Sequence, residues 1–357
     1  MQLLQTLLEI ANKVRLESSN FRISYSGFPP LEVPIATVAQ LQKMPQEIQD
    51  ESLNLLLRNL IYEIHYEGSL VEEVSQRLQT NDQTLKKIAS TEVDWEFYEQ
   101  LERNNKSKGW FHPDYHVLRQ EADGSLAVKY DGVTLHIQRN RHLKLEEQLA
   151  TVNDSVSVLM PSRSIEWDLY TTIGEAETDA STWKDPSNQV VFAYFNFAPE
   201  AAIIAMKHVT TRLNEIKLPF AFKVLHNPLN YKGYNSGFIQ FHRSNYEVIR
   251  QLLQIIYAET KSHFQEHVPI FTKVLAPGIG LAEHPHPKVL FKYSETFGWN
   301  RCQIVANALL EAHKNGDESK EARMKYILQH FDYFKIDLER PYLNPDSEDI
   351  YTPLEVV

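Results

Sequence analysis

Apolar residues recur three and four positions apart through much of the first hundred residues. This spacing predicts an amphipathic helix over residues 3–14 and, after the Pro-rich connector SGFPPLEVP, a second helix over SLNLLLRNLIYEIHYEG. Two more helices are predicted near Val71 to Leu78 and Trp95 to Leu101. The N-terminal region is therefore expected to be mainly helical.

The period changes to strict alternation in YHVLRQEADGSLAVKYDGVTLHIQR, residues 115–139. The pairs Asp123-Gly124 and Asp131-Gly132 are hairpin turn signals, so three antiparallel strands are predicted here. The polar segment GEAETDASTWKDPSNQ, residues 174–189, is predicted to be a domain boundary or a loop.

The second half mixes both patterns. VVFAYFNF reads as a buried strand, Pro199 opens a helix over residues 200–216, and two strands follow, around Lys223 and over GFIQFH. A helix from Asn245 to about His267, an irregular segment over residues 268–288, and helices over residues 301–313 and 321–334 complete the prediction.

The predicted fold class is α+β. A helical N-terminal region with a small antiparallel sheet occupies residues 1–150, a mixed α+β domain residues 151–345, and an extended acidic tail residues 346–357. The chain has no βαβ series and no glycine fingerprint, which argues against a Rossmann or P-loop domain.

Composition narrows the function classes. The net charge of −11 argues against general nucleic-acid binding, and no apolar run approaches the length of a bilayer span. The single cysteine, Cys302, excludes an intramolecular disulfide. Glu9 interrupts the first apolar run, which therefore reads as a helix and not as a signal peptide. We expect a cytoplasmic protein without a membrane partner.

Lys223 is the conspicuous charge in the apolar run LPFAFKVLHNP. In a strand, Phe222 and Val224 face one way while Ala221, Lys223 and Leu225 face the other. A half-buried ammonium must reach solvent, pair with an acid, or act as a base whose pKa desolvation has lowered. The sequence leaves these three alternatives open.

The helix after Pro199 carries a second group of cations. His208 and Arg212 lie four residues apart, with Lys207 beside them. If this helix packs next to the Lys223 strand, the four residues form a cluster suited to phosphate or carboxylate. The alternative is a solvated helix face.

Three further patterns suggest chemistry only weakly. HFQEH, residues 263–267, matches an inverted zinc-protease motif but falls at a predicted helix end, where histidine is common. EHPHPK, residues 283–288, lacks partner ligands for a metal and reads as a loop or a groove wall. Cys302 is either a reactive thiol at a helix start or a small buried hydrophobe. No metal site and no cofactor are expected.

Several longer segments together resemble a known family. LPFAFKVLHNPLNY, PIFTKVLAPGIGLAEHP, ETFGWNRCQIVANALLEA and ERPYLNP, in this order, resemble the Hop-A family of type III effector proteins, and FPPLEVP and LIYEIHYEGSL resemble the leading region of its cyanobacterial members. Members found in lanthipeptide and thioviridamide-type biosynthesis resemble phosphothreonine lyases. They stand beside a kinase-like protein and eliminate phosphate from phosphoserine or phosphothreonine of a precursor peptide.

The resemblance implies a role for each matching residue. Lys223 would be the general base, and His208 or His226 the acid that assists the leaving phosphate. The phosphate partners would be Lys207, Arg212, Lys232 and Arg301. The substrate-binding residues would be Tyr194, Asn196 and Asn235. A phosphorylated precursor peptide and a kinase-like partner protein are the implied partners.

Two departures from the family pattern put catalysis in doubt. The loop after the base, YKGYN, has Gly233 and Asn235 where an Arg and an Asp are expected, and Phe192 and Ala193 precede the first strand's Tyr-x-Asn where an Arg is expected. Arg offers a bidentate fork to phosphate that Lys does not copy. The alternative function is therefore a non-catalytic subunit that binds a peptide or positions a partner enzyme, or an effector-like interaction protein.

Overall fold

The structure is a computed structural model that describes residues 2–71, 92–176, 189–292 and 295–355. Two elements of the sequence prediction lie mostly outside these residues: the helix near Val71 to Leu78 and the polar segment 174–189. The helices within them are α1 (Gln2–Lys13), α2 (Ile35–Leu41), α3 (Gln46–Ile61), α4 (Trp95–Asn104), α5 (Arg139–His142), α6 (Pro199–Glu215), α7 (Tyr246–Thr260), α8 (Phe297–Lys314) and α9 (Lys320–Tyr333).

The strands form three antiparallel sheets, so the predicted α+β class is confirmed. They are β1 (Val14–Glu17), β2 (Arg22–Tyr25), β3 (Leu31–Glu32), β4 (Trp110–Gln120), β5 (Leu126–Tyr130), β6 (Val133–Ile137), β7 (Ser155–Met160), β8 (Arg163–Glu166), β9 (Leu169–Ile173), β10 (Val190–Phe195), β11 (Ala221–Leu225), β12 (Gly237–His242), β13 (Lys273–Ala276) and β14 (Ile279–Glu283). Their orders are β1-β2-β3, β6-β5-β4-β7 and β13-β14-β10-β12-β11-β9-β8.

Two predictions for the second half are wrong. The helix that begins at Tyr246 ends at Thr260 and not near His267, because Phe264 leaves it to form a β-bridge with Phe197. The segment predicted to be irregular contains the hairpin β13–β14. Pro277 and Gly278 are its two loop residues, and Gly278 takes φ +74°, as the second position of a type II turn requires.

The seven-stranded sheet has two unlike faces, because side chains alternate along each strand. The closed face is completely buried; its residues are Tyr170, Thr172, Val191, Ala193, Phe195, Phe222, Val224, Ile239 and Phe241. The open face keeps several side chains partly exposed; its residues are Ser164, Glu166, Thr171, Phe192, Tyr194, Lys223, Phe238 and Gln240.

Helices α4, α6 and α7 cover the closed face. The hydroxyl of Tyr170 donates to Glu102 of α4 at 2.8 Å, and Asn105, just after α4, donates to Thr172 at 3.0 Å. Helix α6 contacts both α4 and α7. The functional consequence is that any group on α6 lies on the opposite side of the sheet from the open face.

The N-terminal helices join the large sheet in one hydrophobic core. Side chains of α1, α3, α8 and α9 belong to the same buried cluster as both faces of β10. The four-stranded sheet has a separate small core. No helix in the described part of the chain is both long and apolar enough to cross a membrane.

Candidate functional site

Lys223 lies at the centre of β11 and on the open face, as the alternation of the sequence predicts. Its neighbours across the sheet are Thr171 on β9 and Phe238 on β12. The side chain is 19% exposed, while Phe222 and Val224 on either side are fully buried in the closed face. The amine is therefore partly desolvated yet reachable from one side.

The amine is paired with an acid. Lys223 Nζ lies 2.5 Å from Glu166 Oε2, and Ser164 donates to the other oxygen of Glu166 at 3.2 Å. Burial by itself raises the pKa of Glu166, but the hydrogen bond and charge of Lys223, with hydrogen bonds from Ser164 and Thr171, hold that pKa below its ordinary value. Of the three alternatives for Lys223, the structure shows the ion pair.

Aromatic rings continue the open face beyond Lys223. The Phe238 ring lies 5.6 Å from that of Phe192 and 6.1 Å from that of Tyr194, and Tyr194 meets Tyr66 edge to face at 6.0 Å. His284 lies 5.8 Å from Phe192, and burial lowers the pKa of its imidazole. Such a surface offers apolar contact and stacking to an extended chain.

His226 lies three residues after Lys223 in sequence, but its side chain contacts the β8–β9 hairpin. It is fully buried, its main-chain N–H donates to Asp168 O at 3.0 Å, and its Nε2 donates to Trp167 O at 3.2 Å. The imidazole thus holds the tip of the β8–β9 hairpin, which carries Glu166.

The structure does not bring the α6 cations to Lys223. Lys207, His208 and Arg212 belong to the helical layer over the closed face, so the sheet separates them from the open face. Nε2 of His208 lies 2.8 Å from Glu259 of α7, while Lys207 and Arg212 are exposed. The alternative interpretation, a solvated helix face, therefore describes Lys207, His208 and Arg212 best.

Arg301 does not reach the open face either, because its hydrogen bonds go to the chain after α9. It is fully buried in α8 and donates to the main-chain oxygens of Pro341 at 2.9 Å and Leu343 at 3.0 Å. These bonds fix the chain after α9, and leave the guanidinium inaccessible to a phosphate. Lys232 is exposed in the loop between β11 and β12.

The three residues predicted to bind substrate occupy different positions. Tyr194 is two strands from Lys223 on the open face, with Phe238 between them. Asn196 is buried and donates to His267 O at 2.9 Å, which orders the segment after α7. The side-chain oxygen of Asn235 is buried and has no hydrogen-bond partner among the described residues.

The weak metal patterns do not assemble into a site. No group of three or more potential ligands comes together in the described residues. Glu283 is fully buried and accepts hydrogen bonds from Asn344, Ser347 and Tyr351, so it binds the C-terminal segment. Cys302 is fully buried, and burial raises the pKa of its thiol, which confirms the small-hydrophobe interpretation.

Sequence reasoning missed the other half of the Lys223 site. Glu166 and Ser164 lie on β8, which was not predicted, and Phe192 and Phe238 were noted only as strand residues or as a departure from a pattern. The available signal was the sequence RSIEWDLYTT, two short alternating runs around the two residues Trp167 and Asp168.

Comparisons with known proteins place the site in a family context. A model of the HopA1 effector protein family matches residues 160–343, just over half of the 357 residues. The matched region includes every strand of the seven-stranded sheet. No curated protein matches the chain.

Two solved structures are similar to the chain at low identity. An effector protein from Pseudomonas syringae pv. tomato strain DC3000 is 16% identical, with a TM-score of 0.40 over 70% of this chain and 81% of that one. An effector protein from Pseudomonas syringae pv. syringae strain 61 is 12% identical, with a TM-score of 0.42 over 83% of this chain and 97% of that one.

Proposed function

The chain belongs to the HopA1 effector protein family, and from this premise we propose that it is a carbon–oxygen lyase that eliminates phosphate from phosphoserine or phosphothreonine of a peptide. The observation that carries the proposal is the position of the Lys223 amine, 19% exposed on the open face beside a row of aromatic rings. A kinase-like partner protein would supply the phosphorylated peptide.

The proposed reaction needs one base and a bound peptide. The neutral amine of Lys223 takes the α-proton, and the electrons of the C–H bond form the Cα=Cβ double bond. The Cβ–O bond breaks with its electron pair leaving on phosphate, whose oxygen takes a proton from solvent. The products are a dehydroamino acid, inorganic phosphate and a protonated lysine. Phe192, Tyr194 and Phe238 would hold the peptide against the face.

Glu166 sets the condition for this chemistry. An ion-paired lysine carries its proton, so the ammonium must release that proton to solvent and Glu166 must turn away before Lys223 acts as a base. The Glu166 side chain is 44% exposed near the tip of the hairpin, which leaves room for it to turn outward. A phosphopeptide on the open face would repel this carboxylate.

The test is mass spectrometry of a phosphothreonine peptide incubated with the protein. Loss of phosphoric acid is expected with the wild type and not with Lys223→Met. Lys273→Met is the matched control, because Lys273 is also a strand lysine, 18% exposed, and its Nζ lies 2.6 Å from Asp349. Equal turnover by Lys223→Met and the control would refute the proposed base.

A second candidate function is peptide binding without catalysis. It is favoured by the distribution of cations, since the structure holds Lys207, His208 and Arg212 behind the sheet and Arg301 inside the core. A phosphate on the open face would then meet few of the predicted partners. If the wild type binds phosphopeptides and never releases phosphate, with or without a kinase-like partner, this second function replaces the first.

A further inference from the structure

The two edge strands of the seven-stranded sheet differ in whether another segment of the chain covers them. Strand β13 forms one edge, and the chain's own C-terminal segment covers it: Leu354 N donates to Leu275 O at 2.8 Å, and Asp349 pairs with Lys273. Strand β8 forms the other edge. No described residue pairs with the outer side of β8.

The register of β8 shows which of its main-chain groups have no partner strand among the described residues. Ile173 N donates to Ser162 O at 2.7 Å, and the two-residue loop closes on the pair Glu166 and Leu169. In an antiparallel ladder, alternate residues point their N–H and C=O groups toward the neighbouring strand. Ser162, Ser164 and Glu166 therefore point inward, and Arg163 and Ile165 point outward.

Among the described residues, this edge has no Pro or Lys within the strand, no bulge and no covering segment, although β8 is only four residues long and carries Arg163 and Glu166. Natural sheets block their edges with Pro, Lys, bulges or a covering segment. The pairing of β8 with β9 has no register shift, and Ile165 is 42% exposed. Arg163 is the one charged residue among the outward pair, and its guanidinium is turned to Glu102 of α4, 2.5 Å away.

Trp167 extends the unprotected edge. It occupies the first loop position of the β8–β9 hairpin with φ +59°, where glycine is the usual residue, and it is 96% exposed. Neither its conformation nor its packing accounts for a large aromatic side chain here. Exposed tryptophan is enriched among the residues that anchor binding partners.

We propose that β8 accepts an extended segment of the peptide substrate as an eighth strand, with Trp167 contacting the apolar side chains of that segment. An added strand lies about 4.8 Å from β8. Its side chains on the open face would then lie beside Ser164 and Glu166, in line with Lys223. The identity of the bound segment as substrate rests on the proposed lyase function.

Strand addition depends on main-chain hydrogen bonds, so the test changes the main chain and the side chain separately. The probe is a fluorescent Val- and Thr-rich peptide with one phosphothreonine, and binding is measured by anisotropy. Ile165→Pro removes an outward N–H and spares the β8–β9 ladder, and is expected to weaken binding about tenfold or more. Ile165→Thr keeps the N–H and is expected to bind like the wild type.

A second variant addresses Trp167. Trp167→Gly removes the aromatic contact and supplies the residue that tolerates positive φ, so the unfolding midpoint is expected to hold or rise while peptide affinity falls. A copy of the peptide with alternate N-methylated residues is expected to bind weakly to the wild type. In both experiments the protein stays folded, so a loss of affinity reports on peptide binding and not on stability.

Several results would overturn the proposal. They are no measurable binding of the probe to the wild type, equal binding of the N-methylated copy, equal binding by Ile165→Pro and Ile165→Thr, or a concentration-dependent dimer that Ile165→Pro dissolves. If Ile165→Pro weakens binding but no peptide ever loses phosphate, the lyase proposal fails and the docking edge stands. If phosphate loss continues in Ile165→Pro with an unchanged KM, the docking edge fails and the lyase stands.

Discussion

The carboxylate of Glu283 accepts a hydrogen bond from the hydroxyl of Tyr351 at 2.8 Å, and both side chains are almost completely buried. Ser347 Oγ and Asn344 N donate to the same carboxylate at 2.7 and 2.9 Å. This buried acid therefore ties the C-terminal segment to β14. A pattern that looked like a metal loop is a structural anchor.

Removal of the Tyr351 hydroxyl should destabilise the fold. Tyr351→Phe leaves a buried carboxylate with one donor fewer, and we expect the free energy of unfolding to fall by roughly 1–3 kcal/mol. Tyr333→Phe is the matched control, because Tyr333 is 80% exposed. Denaturant unfolding near neutral pH measures both, and equal stabilities would contradict the anchoring role.

Removal of the Glu166 charge should strengthen phosphopeptide binding. The Glu166 carboxylate repels an incoming phosphate on the open face, so Glu166→Gln should bind a phosphothreonine peptide several-fold more tightly. The effect should shrink in about 1 M salt, where the Debye length is about 3 Å. Calorimetric titration in low and high salt measures it.

Glu259→Gln provides the control for this comparison. It removes the same charge, but from the partner of His208 on the other side of the sheet. A phosphopeptide bound on the open face should be indifferent to it. If both variants tighten binding equally, only the net charge matters and the open face is not the phosphate site.

His65 should make stability depend on pH. Burial lowers the pKa of His65 to about 4, and its Nε2 lies 3.0 Å from the Tyr25 hydroxyl. Because the folded-state pKa is below the unfolded value of about 6.5, the unfolded chain binds the extra proton between these values. The stability that the neutral His65 contributes is fully present above about pH 6.5 and is lost as the pH falls toward 4. The free energy of unfolding should fall by up to roughly 3 kcal/mol over this range.

The measurement is the free energy of unfolding of the wild type and His65→Gln between about pH 4 and pH 7. In His65→Gln, the free energy of unfolding should depend less steeply on pH, because the histidine's share of that dependence is gone. An identical slope in both proteins would show that His65 is not kept neutral. The result bears on the site, because His65 lies in the short π-helix Tyr62–Tyr66, whose last residue packs against Tyr194.

Cys302 should be unreactive until the protein unfolds. Its thiol is fully buried, and burial raises its pKa, so the thiolate that reacts with disulfide reagents is scarce. We expect no labelling by a thiol reagent in native buffer and one label per chain in denaturant. Fast labelling of the native protein would contradict this placement of α8.

The sequence determined the elements whose pattern is local. The α1, α4, α6, α8 and α9 helices and the strands around Phe192, Lys223 and Phe238 follow from spacing and turn residues, because those signals depend on neighbours in the chain. The same alternation correctly placed Lys223 opposite Phe222 and Val224. The short strands β1 and β2 carried too few residues for a pattern to be read.

Only the tertiary structure decided which side chains meet. Spacing on α6 could not show on which face of the sheet the helix packs, so it left open whether Lys207, His208 and Arg212 lie beside Lys223, from which the sheet separates them. Glu166 reaches Lys223 across β9, 57 positions away in sequence, through a register that no local pattern encodes. The sequence by itself thus determined the strand and the direction of the lysine, and sheet order together with helix packing decided its partner, because those depend on contacts between residues that are distant in the chain.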